Sequence, residues 1–175
     1  MKKNNWIYKV FFMTFLLSII FTFVSNSIAY NANLLVIFLL LGFVIAIGVL
    51  FDMIGTSVLT SNESSFHAMR SKKIKGSTEA INILRKKAEI SNLCLDVFGD
   101  ICGIVSGSLS AVLAFSLADK TPISITLASV IIGSLVSALT VGGKSLFKEV
   151  ALKNADKIIY TIGKSVYFFK FRKQK

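Results

Sequence analysis

The chain has 175 residues, of which 54% are hydrophobic and 17% charged, with a mean hydropathy of +0.71 and a formal net charge of +11. So apolar a composition excludes an ordinary water-soluble domain built around one core. The basic residues flank long apolar runs and do not form one soluble face, which sets nucleic acid aside and makes the lipid bilayer the expected partner.

The chain opens with a short basic segment, after which 6–24 is apolar apart from Lys9 and rich in Phe. About twenty apolar residues cross a hydrocarbon core, so a first transmembrane helix is expected here. Lys2, Lys3, the apolar run and Ser27-Ile28-Ala29 also fit a signal peptide with its small-residue cleavage site. The run is longer than most signal cores, which favours a retained helix. Residues 25–33 are uncharged and polar and are expected to form a short outer loop. A second span covers 34–54, with Asp52 near its end.

From 55 to 92 the chain changes character and carries Arg70, Lys72, Lys73, Lys75, Arg85, Lys86 and Lys87. Gly76 separates two short helices, with Ser77 the expected cap of the second. Ala80, Ile81, Leu84, Ala88 and Ile90 gather on one side. The pattern predicts a helical hairpin at the membrane surface.

The third span, 93–117, holds Asp96 and Asp100 one turn apart and Gly99, Gly103 and Gly107 at four-residue spacing. After a turn at 119–122, which holds the single proline, a fourth span covers 123–141. Gly133 and Ser137 there offer a second seam of small residues for helix packing. The segment 142–175 is basic and amphipathic and reads as an interfacial helix with Tyr160, Tyr167, Phe168, Phe169 and Phe171 at headgroup level. Three regions follow: a helix and outer loop over 1–33, a core transmembrane domain over 34–162 and a basic aromatic tail over 163–175.

Of the 20 Lys and Arg, all but Lys120 fall on one side of a four-span arrangement. The positive-inside rule places that side, with both termini if the first helix is retained, in the cytoplasm of a multi-pass cell-membrane protein. Cys94 and Cys102 lie in apolar helix without metal-type spacing and read as small buried hydrophobes, and His67 reads as a surface residue. With no phosphate loop and no nucleophile triad, no enzyme is expected.

Asp52, Asp96 and Asp100 lie at or just inside the cytoplasmic span ends, where a charge must face a partner, water or an ion. One reading is a cation site formed by these carboxylates with Thr56, Ser57 and Ser106; magnesium suits it, being a hard ion that takes oxygen ligands and keeps waters. The other is a structural ion pair of Asp96 or Asp100 with Lys144.

Three stretches resemble the transmembrane domain of the CorC/CorB and cyclin M (CNNM) family of magnesium transporters. Phe51-Asp52-Met53-Ile54-Gly55-Thr56-Ser57-Val58-Leu59-Thr60 resembles the end of the family's first core helix, F-S-x-A-E-T-A-L-x-S. Gly99-Asp100 resembles the Gly-Asn of its second. Gly143-Lys144-Ser145-Leu146-Phe147-Lys148, with Ala151-Leu152-Lys153-Asn154-Ala155-Asp156-Lys157-Ile158, resembles the G-E-x-x-P-K-x-x-A-x-x-N-P-E-K-I motif after its third. The basic hairpin falls between, as in the family. The resemblance covers 34–162 and implies an all-α integral membrane fold with one extra N-terminal helix, a cytoplasmic helical hairpin and a C-terminal interfacial helix. It implies divalent-cation (magnesium or cobalt) transport or efflux, Mg2+ between the helices, and a homodimer. The family's acids fall on Gly55 and Lys144, its asparagine on Asp100 and its proline on Phe147. The metal set carried over is therefore Asp100, Asp96, Asp52, Thr56 and Ser57, with Gly55 and Lys144 as replacements and Gly99, Gly103, Gly107 and Gly133 as packing positions. The family's nucleotide-sensing CBS pair has no counterpart in these residues, which leaves room for a separate cytoplasmic partner. The alternative is a non-transporting scaffold or regulatory subunit in which an Asp100–Lys144 pair replaces the ion.

Overall fold

The computed structural model describes residues 2–30 and 32–172, with side chains described at 8–29 and 32–170. The side chains of Trp6 and Phe171 lie outside that set. All regular structure among the described residues is helical: α1 (Lys2–Tyr30), α2 (Leu34–Thr60), α3 (Glu63–Ser71), α4 (Ser77–Arg85), α5 (Lys87–Asn92), a π-helical segment (Leu93–Phe98), α6 (Gly99–Lys120) and α7 (Ile125–Arg172). Four helical runs are long and apolar enough to cross a membrane: Tyr8–Ala29, Leu34–Thr60, Lys87–Lys120 and Ile125–Lys170. The chain divides into two compact units, Met1–Val49 with Val97–Lys144 and Leu50–Asp96 with Ser145–Lys175.

In the first unit α1 packs along α6. Residues 25–30, expected as a loop, continue α1, because this stretch is a contact surface: Ser25 and Ala29 are buried, and Asn26 Oδ1 accepts a 2.8 Å hydrogen bond from Ser108 Oγ of α6. Ile37 and Leu41 of α2 are buried one turn apart, as are Ala128, Ile132 and Val136 of α7 and Val105, Leu109 and Leu113 of α6. These i, i+4 rows are the stripes that helices turn toward one another. Close approach is made at glycines other than those of the expected seams. A Cβ on Gly48 would stand 2.9 Å from Cys102 Cβ, and one on Gly143 would stand 3.1 Å from Val49 Cγ2. Gly103, Gly107 and Gly133 have nothing within 4 Å of that position, so no helix among the described residues packs against them there. Large apolar side chains such as Phe11, Leu35, Phe38 and Val130 are exposed, as helices in a lipid solvent require.

The second unit has a core of its own, made of Val58 of α2, Phe66 of α3, Ala80, Ile81 and Leu84 of α4 and Ile159 of α7, with Ile90 packed against it. Ala88, expected on the same face, is exposed, because Lys86 interrupts the helix and starts a new turn in another register. Glu63 opens α3 and Arg70 closes it, each placed to oppose the helix dipole. The chain then turns through Lys73 (φ 54°) and Gly76 (φ 89°). Gly76 precedes α4 as expected, but Ser77 does not cap it. Ser77 is the first helical residue and its Oγ donates back to Ile74 O at 2.7 Å.

The helix that begins at Ile125 does not stop at Gly142-Gly143, where an interfacial helix was expected to start. Gly143 serves a contact, and helical geometry lapses only at Asn154 (φ −123°, ψ 23°). Across the kink, Ala151, Ala155, Ile159 and Gly163 form one buried row. At Gly163 the packing is backbone on backbone: an added Cβ would meet Gly76 O at 2.7 Å and Ala80 N at 2.9 Å. The helix passes 162–163 without interruption.

Candidate functional site

Asp52 lies in the last third of α2, a helix of 27 residues in which it is the one charged residue. It is half-buried and engages a partner. Thr56, one turn on, shares its face; Thr56 and Ser57 are 5% and 0% exposed. Ser57 Oγ donates to Met53 O at 2.8 Å and Thr60 Oγ1 to Thr56 O at 2.9 Å. Such back-bonds satisfy each hydroxyl proton inside the helix and leave the Ser57 and Thr60 oxygens as acceptors.

Gly55 sits between Asp52 and Thr56 and is filled from outside. A Cβ there would stand 2.6 Å from Leu95 Cγ and 3.2 Å from Cys94 Cβ. The end of α2 is therefore pressed against the π-helical segment, which carries Asp96. That segment was not anticipated: 93–117 read as one uniform helix. π segments inside α-helices are rare and recur at functional sites. Asp96 is exposed, and Cys94 is a buried free thiol, as expected of a small hydrophobe.

Asp100, Cys102 and Lys144 belong to the first unit. Asp100 is exposed in the first turn of α6, where a carboxylate is stabilised by the helix dipole. It is in none of the ion pairs His67–Glu63, Arg85–Glu63 and Lys153–Glu149. Lys144 is half-buried and engages a partner. Ser106 is 3% exposed and its Oγ donates to Gly103 O, which leaves its oxygen as an acceptor, like those of Ser57 and Thr60. Gly99 is buried, whereas Gly103, Gly107 and Asp100 share the exposed side of α6.

No group of three His, Cys, Asp or Glu side chains comes together to hold a metal among the described residues. The second unit offers a half-buried carboxylate beside buried hydroxyls, with the exposed Asp96 on the helix pressed against Gly55. That donor set is all oxygen and low in charge. It does not suit zinc, which wants several N or S ligands, but it suits a hard cation that retains most of its waters. His67, read as a surface residue, is exposed and bonds Glu63 Oε1 at 3.1 Å, one turn away.

Comparison with protein-family models, with curated proteins and with solved structures found no match.

Proposed function

We propose that this protein is a multi-pass cell-membrane protein of divalent-cation transport or efflux, similar in type to the CorC/CorB and cyclin M transporters but with a modified ion site. The observation that carries the reading is Asp52: a half-buried carboxylate in a helix of membrane-crossing length, one turn from the buried hydroxyls of Thr56 and Ser57. A carboxylate is expensive in such a helix and marks an ion or proton path by default. Magnesium or cobalt, bound with part of its water shell, fits one or two carboxylates and neutral oxygens. Asp96, on the segment pressed against Gly55, extends the acidic surface from which the cation is drawn. The charge distribution supports a cytoplasmic location for both termini. The open space at Gly103, Gly107 and Gly133 supports a homodimer formed through these faces.

The test is metal handling in cells that lack and then regain the gene, with magnesium and cobalt uptake, efflux and tolerance measured side by side. Wild type restores the phenotype and Asp52→Asn does not. Unchanged metal handling in all three strains, with purified protein equally stable in magnesium, cobalt and sodium, sinks the reading.

A second reading is a non-transporting scaffold or regulatory subunit, favoured by the lack of a three-ligand cluster among the described residues. Its expected hallmark is the Asp100–Lys144 pair in place of the ion. On this reading Asp52→Asn leaves metal handling intact while loss of the whole chain impairs a partner's activity.

A further inference from the structure

The second unit carries a basic and aromatic patch that the cation reading does not use. Between α3 and α4 the chain places Lys72, Lys73 and Lys75 on one turn, all exposed. Lys73 holds a left-handed backbone, φ 54°, which a lysine adopts only under constraint. The constraint is visible at the next glycine. A Cβ on Gly76 would stand 2.7 Å from the Cα of Lys164, so the lysine turn is pinned directly against α7. Lys164 is exposed, and so is Phe168, four residues on and therefore on the same helix face. Phe169 and Lys170 follow, Phe169 being 78% exposed and Phe168 59%.

The packing of Gly76 on Gly163 and Lys164 thus brings together two segments that are far apart in sequence. One is the turn with its three lysines; the other is the end of α7, where Lys164 and Phe168 share one face and Phe169 and Lys170 stand on the neighbouring faces. None of these five lysines is in a salt bridge among the described residues. The acids that pair in this unit are occupied elsewhere: Glu63 with His67 and Arg85, and Glu149 with Lys153. No Asp or Glu occurs from 64 to 78 or from 157 to 175.

We infer that this patch, built from Lys72, Lys73, Lys75, Lys164 and Lys170 with Phe168 and Phe169, is a binding site for an anionic glycerophospholipid. Lysines near a membrane attract phosphodiester headgroups, and exposed aromatic rings insert at the boundary between headgroups and acyl chains. Either feature alone is common; the pinned turn puts the lysines and the aromatic helix end on adjoining segments. The chain has four helical runs long and apolar enough to cross a membrane, so anionic headgroups are an abundant partner for such a patch. A nucleic acid or an acidic protein would use the lysines but leave Phe168 and Phe169 without a role.

The experiment titrates the purified full chain in detergent with phosphatidylglycerol and with phosphatidylcholine, reading bound lipid by native mass spectrometry and thermal stability alongside. Wild type is expected to prefer phosphatidylglycerol by about tenfold or more, as several near-surface lysines imply. The combined variant Lys72→Ala, Lys73→Gly, Lys75→Ala loses most of that preference and remains folded, since its side chains are exposed and glycine suits the left-handed position. A charge-matched control, Lys86→Ala, Lys148→Ala, Lys157→Ala, keeps the preference within about twofold, because charges outside a localised site contribute little. Phe168→Ser with Phe169→Ser weakens the binding of both lipids. The inference is overturned if phosphatidylcholine binds as well as phosphatidylglycerol, or if the control loses the preference as fully as the patch variant. It is also overturned if glycerol phosphate alone displaces the lipid, which marks a free-phosphate site, or if a single-stranded RNA binds the patch in preference to lipid.

Discussion

The two units bury their residues by different rules. The first exposes Phe, Leu and Ile along α1, α2 and α7 and buries thin rows of small and branched side chains, with a serine–asparagine bond between helices. The second hides Phe66 completely, surrounds it with aliphatic residues from four helices and exposes lysines. In the first, lipid is as apolar as leucine, so helix contact rests on fit and on polar bonds. In the second, water is the competitor and burial itself drives the packing. Leu146 and Leu152 stay exposed in the second unit as well, so the contrast lies in what each unit buries.

The largest expected effect falls where water drives the packing. Phe66→Ala should destabilise the second unit by about 3–5 kcal/mol, read as a lower midpoint in thermal unfolding of the detergent-solubilised protein. A loss below about 1 kcal/mol would mean that the unit does not rest on that core. Next come the two glycines with no room. Gly163→Ala drives a methyl into the backbone of Gly76 and Ala80, and Gly55→Ala drives one into Leu95; each should cost about 1–3 kcal/mol by the same measurement. Neutral behaviour at Gly163 would show that α4 and α7 can separate without penalty.

Smaller effects test the lipid-type rule. Asn26→Ala removes the partner of Ser108 and should cost about 0.6–1.7 kcal/mol, the range of interhelical bonds in membranes. Disulfide trapping between cysteines placed at 26 and 108 checks that α1 and α6 are neighbours. Gly107→Ala meets open space within the chain and should shift stability by less than about 0.5 kcal/mol. If the homodimer uses this face, the same change weakens the dimer by crosslinking or light scattering while leaving the monomer's unfolding midpoint in place.

Much of this was legible in the sequence because the spans are long and charge-poor and the hairpin is punctuated by Gly76. The four apolar helices emerge where the runs of 6–24, 34–54, 93–117 and 123–141 lie. What was not legible is what depends on neighbours. Ser25 and Asn26 look like loop residues until Ser108 is placed beside them. Gly142-Gly143 looks like a stop, yet Gly143 is small to admit Val49 and the helix runs on. The glycines with the clearest spacing, Gly103 and Gly107, are the ones this chain leaves open, while unremarkable Gly48 and Gly163 carry close contacts. The π segment has no local signature in Leu93 to Phe98. At the candidate site, hydropathy and spacing were enough to single out Asp52, Thr56 and Ser57. The state of Asp100 and Lys144 depends on which helix faces lie together, and one sequence does not encode that in any local pattern.

Gly55 constrains the history and the engineering of this protein. Leu95 Cγ occupies the volume that any side chain at 55 would need. A glutamate introduced there meets a filled site before it can meet an ion. Residue 95 must shrink first, to alanine or glycine, and only then can an acid be accommodated at 55. The reverse order passes through an overpacked intermediate. The two positions therefore form an ordered pair: a smaller residue at 95 opens the room that a side chain at 55 needs.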